Sequence, residues 1–398
     1  MPVGQGAAPV RTARFGFAFL GVLIIAVNLR VAFVTVGPLL AEISSDLELS
    51  SSMAGLLTGL PLISFALVSP IAPRISRRLG LDRALWLALL LLTCGALARS
   101  VPVIGAIWVG TALLGVGIAI LNVLLPSLVK RDFPARISQV TGIYTAAQGA
   151  FSSAGAAVVV PIANSADSGW RLALGIWGGL ALIAMAILVP RLRNRATTPT
   201  VGPESTVAHL SPWKSALGWQ ITVFMGLQSL AFFTLMAWLP SIEHEQGISQ
   251  VSSGIHVSVF LFTGVVASLS AGALLHRSKD QRAVALGSSI LALTAYIGLA
   301  AAPQLSLLWV VVGAMGCGSL IVIALSLFSL RTGNHVQAAE LSGMAQSIGY
   351  GVAAAGPVVF GALHDFSGGW TVPLVATAGL MLVLCAMAVL AGRNRLIG

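Results

Sequence analysis

Arg30 sits inside the apolar run from Phe15 to Leu40, which is otherwise interrupted by Asn28, Thr35 and the pair Gly37-Pro38. A charge at the centre of a bilayer costs about 2.5 to 3.5 kcal/mol even on the mildest insertion scale. The guanidinium therefore faces protein or water. It carries five donors and does not deprotonate in proteins, so it is a permanent binder and a poor proton switch. None of the 12 Asp and Glu residues falls at membrane depth by this assignment of spans. A cavity built on Arg30 is expected to hold a cation without a counter-carboxylate. That suits an anion, or a polar neutral molecule with a negative end, which would itself serve as the counter-ion. The competing role is bonding of carbonyls between helices.

Helical pitch constrains the partners of Arg30. Asn28 and Thr35 are seven residues apart and share a face. Arg30 is two residues from Asn28, about 200° around the helix. Arg30 is thus assigned to the ligand and Asn28 to a neighbouring helix. Tyr144 and Gln148 share a face, and so do Gln346 and Tyr350. Asn122 and Gln228 are further polar groups in apolar runs. His256 lies near the outer end of its run, lining the cavity or facing water. Each of these polar groups has interhelical bonding as its alternative. Cys94, Cys317 and Cys385 lie in apolar runs without metal or disulfide spacing and read as packing residues. No phosphate-binding glycine loop with lysine occurs, so neither ATP drive nor a cofactor is expected.

These groups must be held by membrane spans. The chain has 398 residues, 57% hydrophobic and 9% charged, with a mean hydropathy of +0.94. Soluble domains carry about 25% charged residues. Twelve apolar runs are long enough to span a bilayer: about 15–41, 51–73, 82–100, 103–129, 137–163, 170–190, 215–240, 250–275, 283–302, 305–330, 338–363 and 370–391. The first is too long for a cleavable signal. Of the 22 Lys and Arg residues, all but Arg30, Arg99 and Arg171 fall on one side of this topology. Glu42, Asp46, Glu48, Asp167, Glu243, Glu245 and Asp365 fall on the other. The basic side is expected to be cytoplasmic, with both termini on it, in the inner (plasma) membrane. The net charge of +10 reads as this orientation signal, and nucleic acid is excluded as a partner. The partners are the lipid bilayer and a small-molecule or anion substrate, with protons as the candidate coupling ion.

The polar stretch 191–212 is expected to be a cytoplasmic linker between a six-helix half at 1–190 and another at 213–398. The halves repeat at a spacing near 200 residues. Gly142 matches Gly343, Gly155 matches Gly356, and both stretches run on to a Gly-Trp, at Gly169-Trp170 and Gly369-Trp370. Gly55 matches Gly254, Arg83 matches Arg282, and Glu42 matches Glu243.

The stretch from Asn28 through Arg30 and Thr35 to Gly37-Pro38 resembles the first-helix signature of the cyanate permease and 2-nitroimidazole transporter family of the major facilitators. Gly117 to Pro134, with Asn122, Pro126, Lys130 and Arg131, resembles its fourth-helix signature. Val31 stands where the family often has proline. Arg77-Arg78-Leu-Gly80-Leu-Asp-Arg83 resembles the superfamily's gating loop, with Arg77 replacing the customary aspartate, so gating is expected through carbonyls and helix ends. The resemblance runs along essentially the whole chain. It implies an all-α integral membrane protein, twelve transmembrane helices in two pseudo-symmetric six-helix halves. It implies a secondary-active carrier of a small anionic or polar nitrogen-containing solute, working by alternating access. The rival readings are an exporter of neutral drug-like compounds, with Arg30 structural, and a sensor that binds without moving its ligand.

Overall fold

The computed structural model describes residues 8–49, 51–103, 105–165, 169–193 and 210–397. Most of the expected linker lies outside the described residues. Fourteen α-helices run α1 Ala8–Val34, α2 Val36–Asp46, α3 Ser51–Val68, α4 Ala72–Leu79, α5 Leu81–Ala98, α6 Ala106–Asp132, α7 Ile137–Ala163 and α8 Gly169–Arg193. They continue as α9 Ala216–Glu245, α10 Gln250–Arg277, α11 Arg282–Ala301, α12 Ser306–Leu330, α13 His335–Ser367 and α14 Thr371–Ala391. No strand occurs among the described residues. Eleven spans are long and apolar enough to cross a bilayer, or 12 if a bent pair counts as one.

Proline explains where the helices depart from the apolar runs. Pro38 has no N–H to give to the carbonyl four residues back. The first span accordingly breaks at Thr35, whose hydroxyl donates to the Val31 carbonyl at 2.9 Å, and continues as α2. The second span is not the continuous 51–73 expected. It bends by 58° between α3 and α4, at Ser69-Pro70-Ile71. The seventh span does not end near 240 as expected: α9 runs through Pro240 to Glu245. Gly80 joins α4 to α5 at φ +82°, a left-handed conformation that favours glycine.

Buried apolar side chains form one cluster within the first half, including Ile25, Leu89, Ile118 and Leu125, and another within the second, including Phe224, Leu235, Ile323 and Met381. The repeat is visible as matched contacts. A Cβ on Gly142 would lie 2.9 Å from the Gly272 Cα on α10, and one on Gly343 would lie 2.8 Å from the Ser69 carbonyl beside α4. Both positions bring one half against the other. Gly155 and Gly356 do the matching job inside each half, against Val31 of α1 and Thr234 of α9. Small residues let helices approach this closely in a membrane.

The halves are joined on the basic face. Arg77 pairs with Glu340 of α13. Lys130 donates to the Thr332 carbonyl at 2.6 Å, Ser127 to the His335 carbonyl at 2.6 Å, and Ser329 to the Pro126 carbonyl at 2.8 Å. Two further contacts use carbonyls that proline has freed. Pro126 cannot donate to Asn122, whose carbonyl instead accepts from Gln346 Nε2 at 3.1 Å. Pro70 cannot donate to Ala66, whose carbonyl accepts from Ser347 at 2.9 Å. Toward the acidic face the same side of α10 is open. Gly254, Ile255, Ser258, Val259 and Phe262 line a groove of about 470 Å³. The contacts between the halves close the seam on the basic face.

Charge networks brace the basic face. Asp82 receives two bonds from Arg131, at 2.7 and 2.9 Å, and Asp132 accepts from Arg191 at 2.6 Å. The second half places Arg331 where the first has Arg131. Arg331 meets a neutral partner, Gln281, and the Gly392 carbonyl at 2.8 Å. Burial pushes the Arg331 guanidinium down to about 10.

Two substitutions test this seam, read by labelling of Leu325→Cys, a residue packed against both clusters, in a background without native cysteines. Arg77→Gln removes a half-exposed pair worth about 1 kcal/mol or less. It should leave the melting temperature nearly unchanged while speeding labelling. Gly142→Leu sets a side chain against backbone that cannot move aside and should speed labelling more. Unchanged labelling in both would show that these contacts do not hold the seam.

Candidate functional site

α1 and α9, the first helices of the two halves, meet at Arg30. Its guanidinium carbon lies 5.7 Å from the centroid of the Phe232 ring on α9, inside the range where a cation is attracted to an aromatic face. Phe232 is held by Phe233 and Phe260, with centroids at 5.3 and 5.9 Å. Across the same seam Tyr350 of α13 packs on Phe65 of α3 at 5.6 Å, and its phenol is an electrostatic neighbour of Arg30. Among the described residues, no carboxylate forms a salt bridge with Arg30. The guanidinium is partly accessible. The arrangement is a fixed cation among aromatic rings, where the two halves meet.

The other sequence-derived residues divide. Tyr144 is buried and electrostatically coupled to Tyr350, so it stands behind the Arg30 cluster. Gln148 is half-buried on the same face of α7. Asn28 bonds its own helix, donating to the Ile24 carbonyl at 2.7 Å. This corrects the assignment to a neighbouring helix: four residues back is the nearest carbonyl on that face. Asn28 Oδ1 remains buried without a partner. Thr35 is spent on the helix break. Gln228 is buried and bonds to Ser229 and the Met225 carbonyl. Gln346 is fully buried at the seam, bonded to Asn122 and Ser342. Asn122 offers its carbonyl there, and its side chain is half-buried.

In the gating loop Arg77 engages a carboxylate of the opposite half, which corrects the expectation of carbonyl and helix-end contacts. The acid had to come from α13, outside the motif. Arg78 and Arg83 are exposed, and Gly80 makes the turn.

A second correction concerns carboxylates. Glu243 was placed in an outer loop, but α9 carries it inward and its side chain is 0% exposed. His256 does not simply face water. Its Nδ1 lies 2.7 Å from Glu243 Oε1, and Ser306 donates to the same oxygen. Sequence reading missed Phe65, Phe232 and Glu243. The match of Glu42 with Glu243 was the available signal for the last. Groups that could hold a metal ion are absent among the described residues.

A family model described as Major Facilitator Superfamily matches residues 18–354. The chain is 42% identical over 380 residues to an uncharacterized transporter, YycB, of Bacillus subtilis, covering 95% of this chain and 94% of that one. It is 38% identical over 375 residues to the 2-nitroimidazole transporter of Escherichia coli, covering 94% and 95%. It is 28% identical over 375 residues to the cyanate transport protein CynX of Escherichia coli, covering 93% and 96%. Among solved structures, the transporter FucP in the outward conformation superposes with a TM-score of 0.75 at 14% identity, over 94% of this chain and 97% of that one. Eleven or 12 spans among the described residues, built as two matched halves, a seam closed on one face and the match along most of the length lead to one conclusion: the chain belongs to the Major Facilitator Superfamily of membrane transporters.

Proposed function

We propose that this transporter carries small planar solutes that are anionic or bear a polar negative end such as a nitro group, held between Arg30 and the rings of Phe232 and Tyr350. The observation that carries the reading is the Arg30 guanidinium lying over Phe232 without a carboxylate partner among the described residues. A planar solute can stack on the rings while its negative end takes the donors of the guanidinium. The names of the 2-nitroimidazole and cyanate relatives support the same class. The basic face is cytoplasmic by the positive-inside rule, with both termini on it. The groove beside α10 then opens outward, and rocking of one half against the other moves the solute past Arg30. The two halves are residues 1–190 and 213–398, with 191–212 joining them.

Thermal shift on purified protein tests this directly. A ligand that binds only the folded state at 100 times its Kd stabilises by about 2.7 kcal/mol. 2-Nitroimidazole, and separately cyanate, should raise the melting temperature of the wild type and not of Arg30→Gln. Phe232→Leu removes the ring and keeps the volume. It should weaken nitroimidazole binding by roughly 0.5 to 2 kcal/mol, the range of a cation–aromatic contact, and leave cyanate less affected. An equal shift in the wild type and Arg30→Gln would mean that the cation is structural and the solutes are neutral.

A further inference from the structure

Glu243 occupies the last full turn of α9, where three helices converge. Its carboxyl is 0% exposed. Oε1 takes both contacts, from His256 Nδ1 of α10 at 2.7 Å and from Ser306 at the start of α12. Oε2 is buried and meets no donor among the described residues. One turn before His256 on α10, the Ser253 hydroxyl is also buried without a partner. A bare carboxylate oxygen in a site closed to water is expensive unless something occupies it. Metal-binding groupings are absent among the described residues, and the species that fits an unfilled carboxylate oxygen is a proton.

The surroundings isolate the cluster. On α9 the neighbouring titratable groups are His244 and Glu245. On α13 they are His364 and Asp365. Glu245 reaches His364 at 3.5 Å on the exposed side, and His364 also lies 3.3 Å from Asp365. The acidic-face ends of α10, α12 and α14 bring no charged side chain except His256. Glu243 and His256 therefore form a unit of their own. With one proton, on Oε2 or shared with His256 as imidazolium, the unit is neutral. Without it, the unit carries one negative charge.

We infer that Glu243, His256 and Ser306 form a proton-binding site that couples proton movement to solute movement. This rests on the transport reading above and adds the coupling group to it. The proton enters from water on the acidic side and leaves to water on the basic side. No bond other than this proton's own is made or broken. The link to the solute is α9 itself. Phe232 and Glu243 are 11 residues apart on one helix, about 16 Å. A proton keeps the end of α9 packed against α10 and α12. Its loss leaves a net charge in that contact and loosens the helix that carries Phe232.

Full-length protein in liposomes with labelled 2-nitroimidazole provides the test, in two arms. Counterflow exchange needs no gradient, whereas accumulation under an imposed pH gradient needs a coupled proton. Wild type should do both. Glu243→Gln should keep counterflow and let the solute reach only its equilibrium distribution under the gradient. Accumulation by Glu243→Gln at the wild-type level would overturn the inference. Absence of counterflow in the wild type would instead remove the transport reading, and the inference with it, so the two failures are distinguishable. If Glu243→Gln does not fold, His256→Asn should show the same split. A pH dye inside wild-type vesicles should register protons entering with the solute, and solute entry without protons would likewise overturn the proposal.

Discussion

Inside a bilayer, a polar group that loses its natural partner must find another within the protein. Prolines create the first such demands. Pro126 and Pro70 strip helical donors from the carbonyls of Asn122 and Ala66. Gln346 and Ser347 of the opposite half supply the replacements. A local defect in one half becomes an adhesive contact with the other. These contacts are single hydrogen bonds, individually worth about 1 kcal/mol. Each is weak enough to be exchanged singly, which a large apolar seam would resist.

The groups proposed to act leave the same demand partly unmet. Arg30 has an aromatic face and no acid. Glu243 has one oxygen satisfied and one bare. Structural charges here look different. Asp82, Arg131, Asp132 and Arg191 pair with one another in one network. Arg331 is packed among carbonyls and an amide.

Much of this was legible in the sequence. Apolar length and the distribution of Lys and Arg define the spans and their two faces, because bilayer thickness and charge insertion are strong, local constraints. Arg30 stands out for the same reason. The repeat at Gly142 and Gly343 was readable because close helix approach requires glycine at both. Side-chain direction was not readable. Gln346 and Tyr350 share a face by spacing, yet one is consumed by the seam and the other remains beside Arg30. Nothing in the spacing says which helix stands opposite. Glu243 was lost because the apolar run ends near 240 while the helix continues through Pro240 to Glu245. A proline deletes one hydrogen bond, and a helix packed on several sides tolerates that.

Symmetry gives the assembly its logic. Arg30 and Phe232 lie on the matched first helices of the two halves and meet across the seam. The ring attracts the guanidinium and adds no charge of its own, so the contact holds a single cation. Glu42 and Glu243 have diverged. Glu42 is exposed and accepts the Trp170 amide at 3.2 Å, a structural cap on its own half. Glu243 has withdrawn from water and taken a histidine. One duplicated helix thus keeps the cation and its copy keeps the acid. On the proposed reading, solute charge and proton charge are handled at separate points along α9.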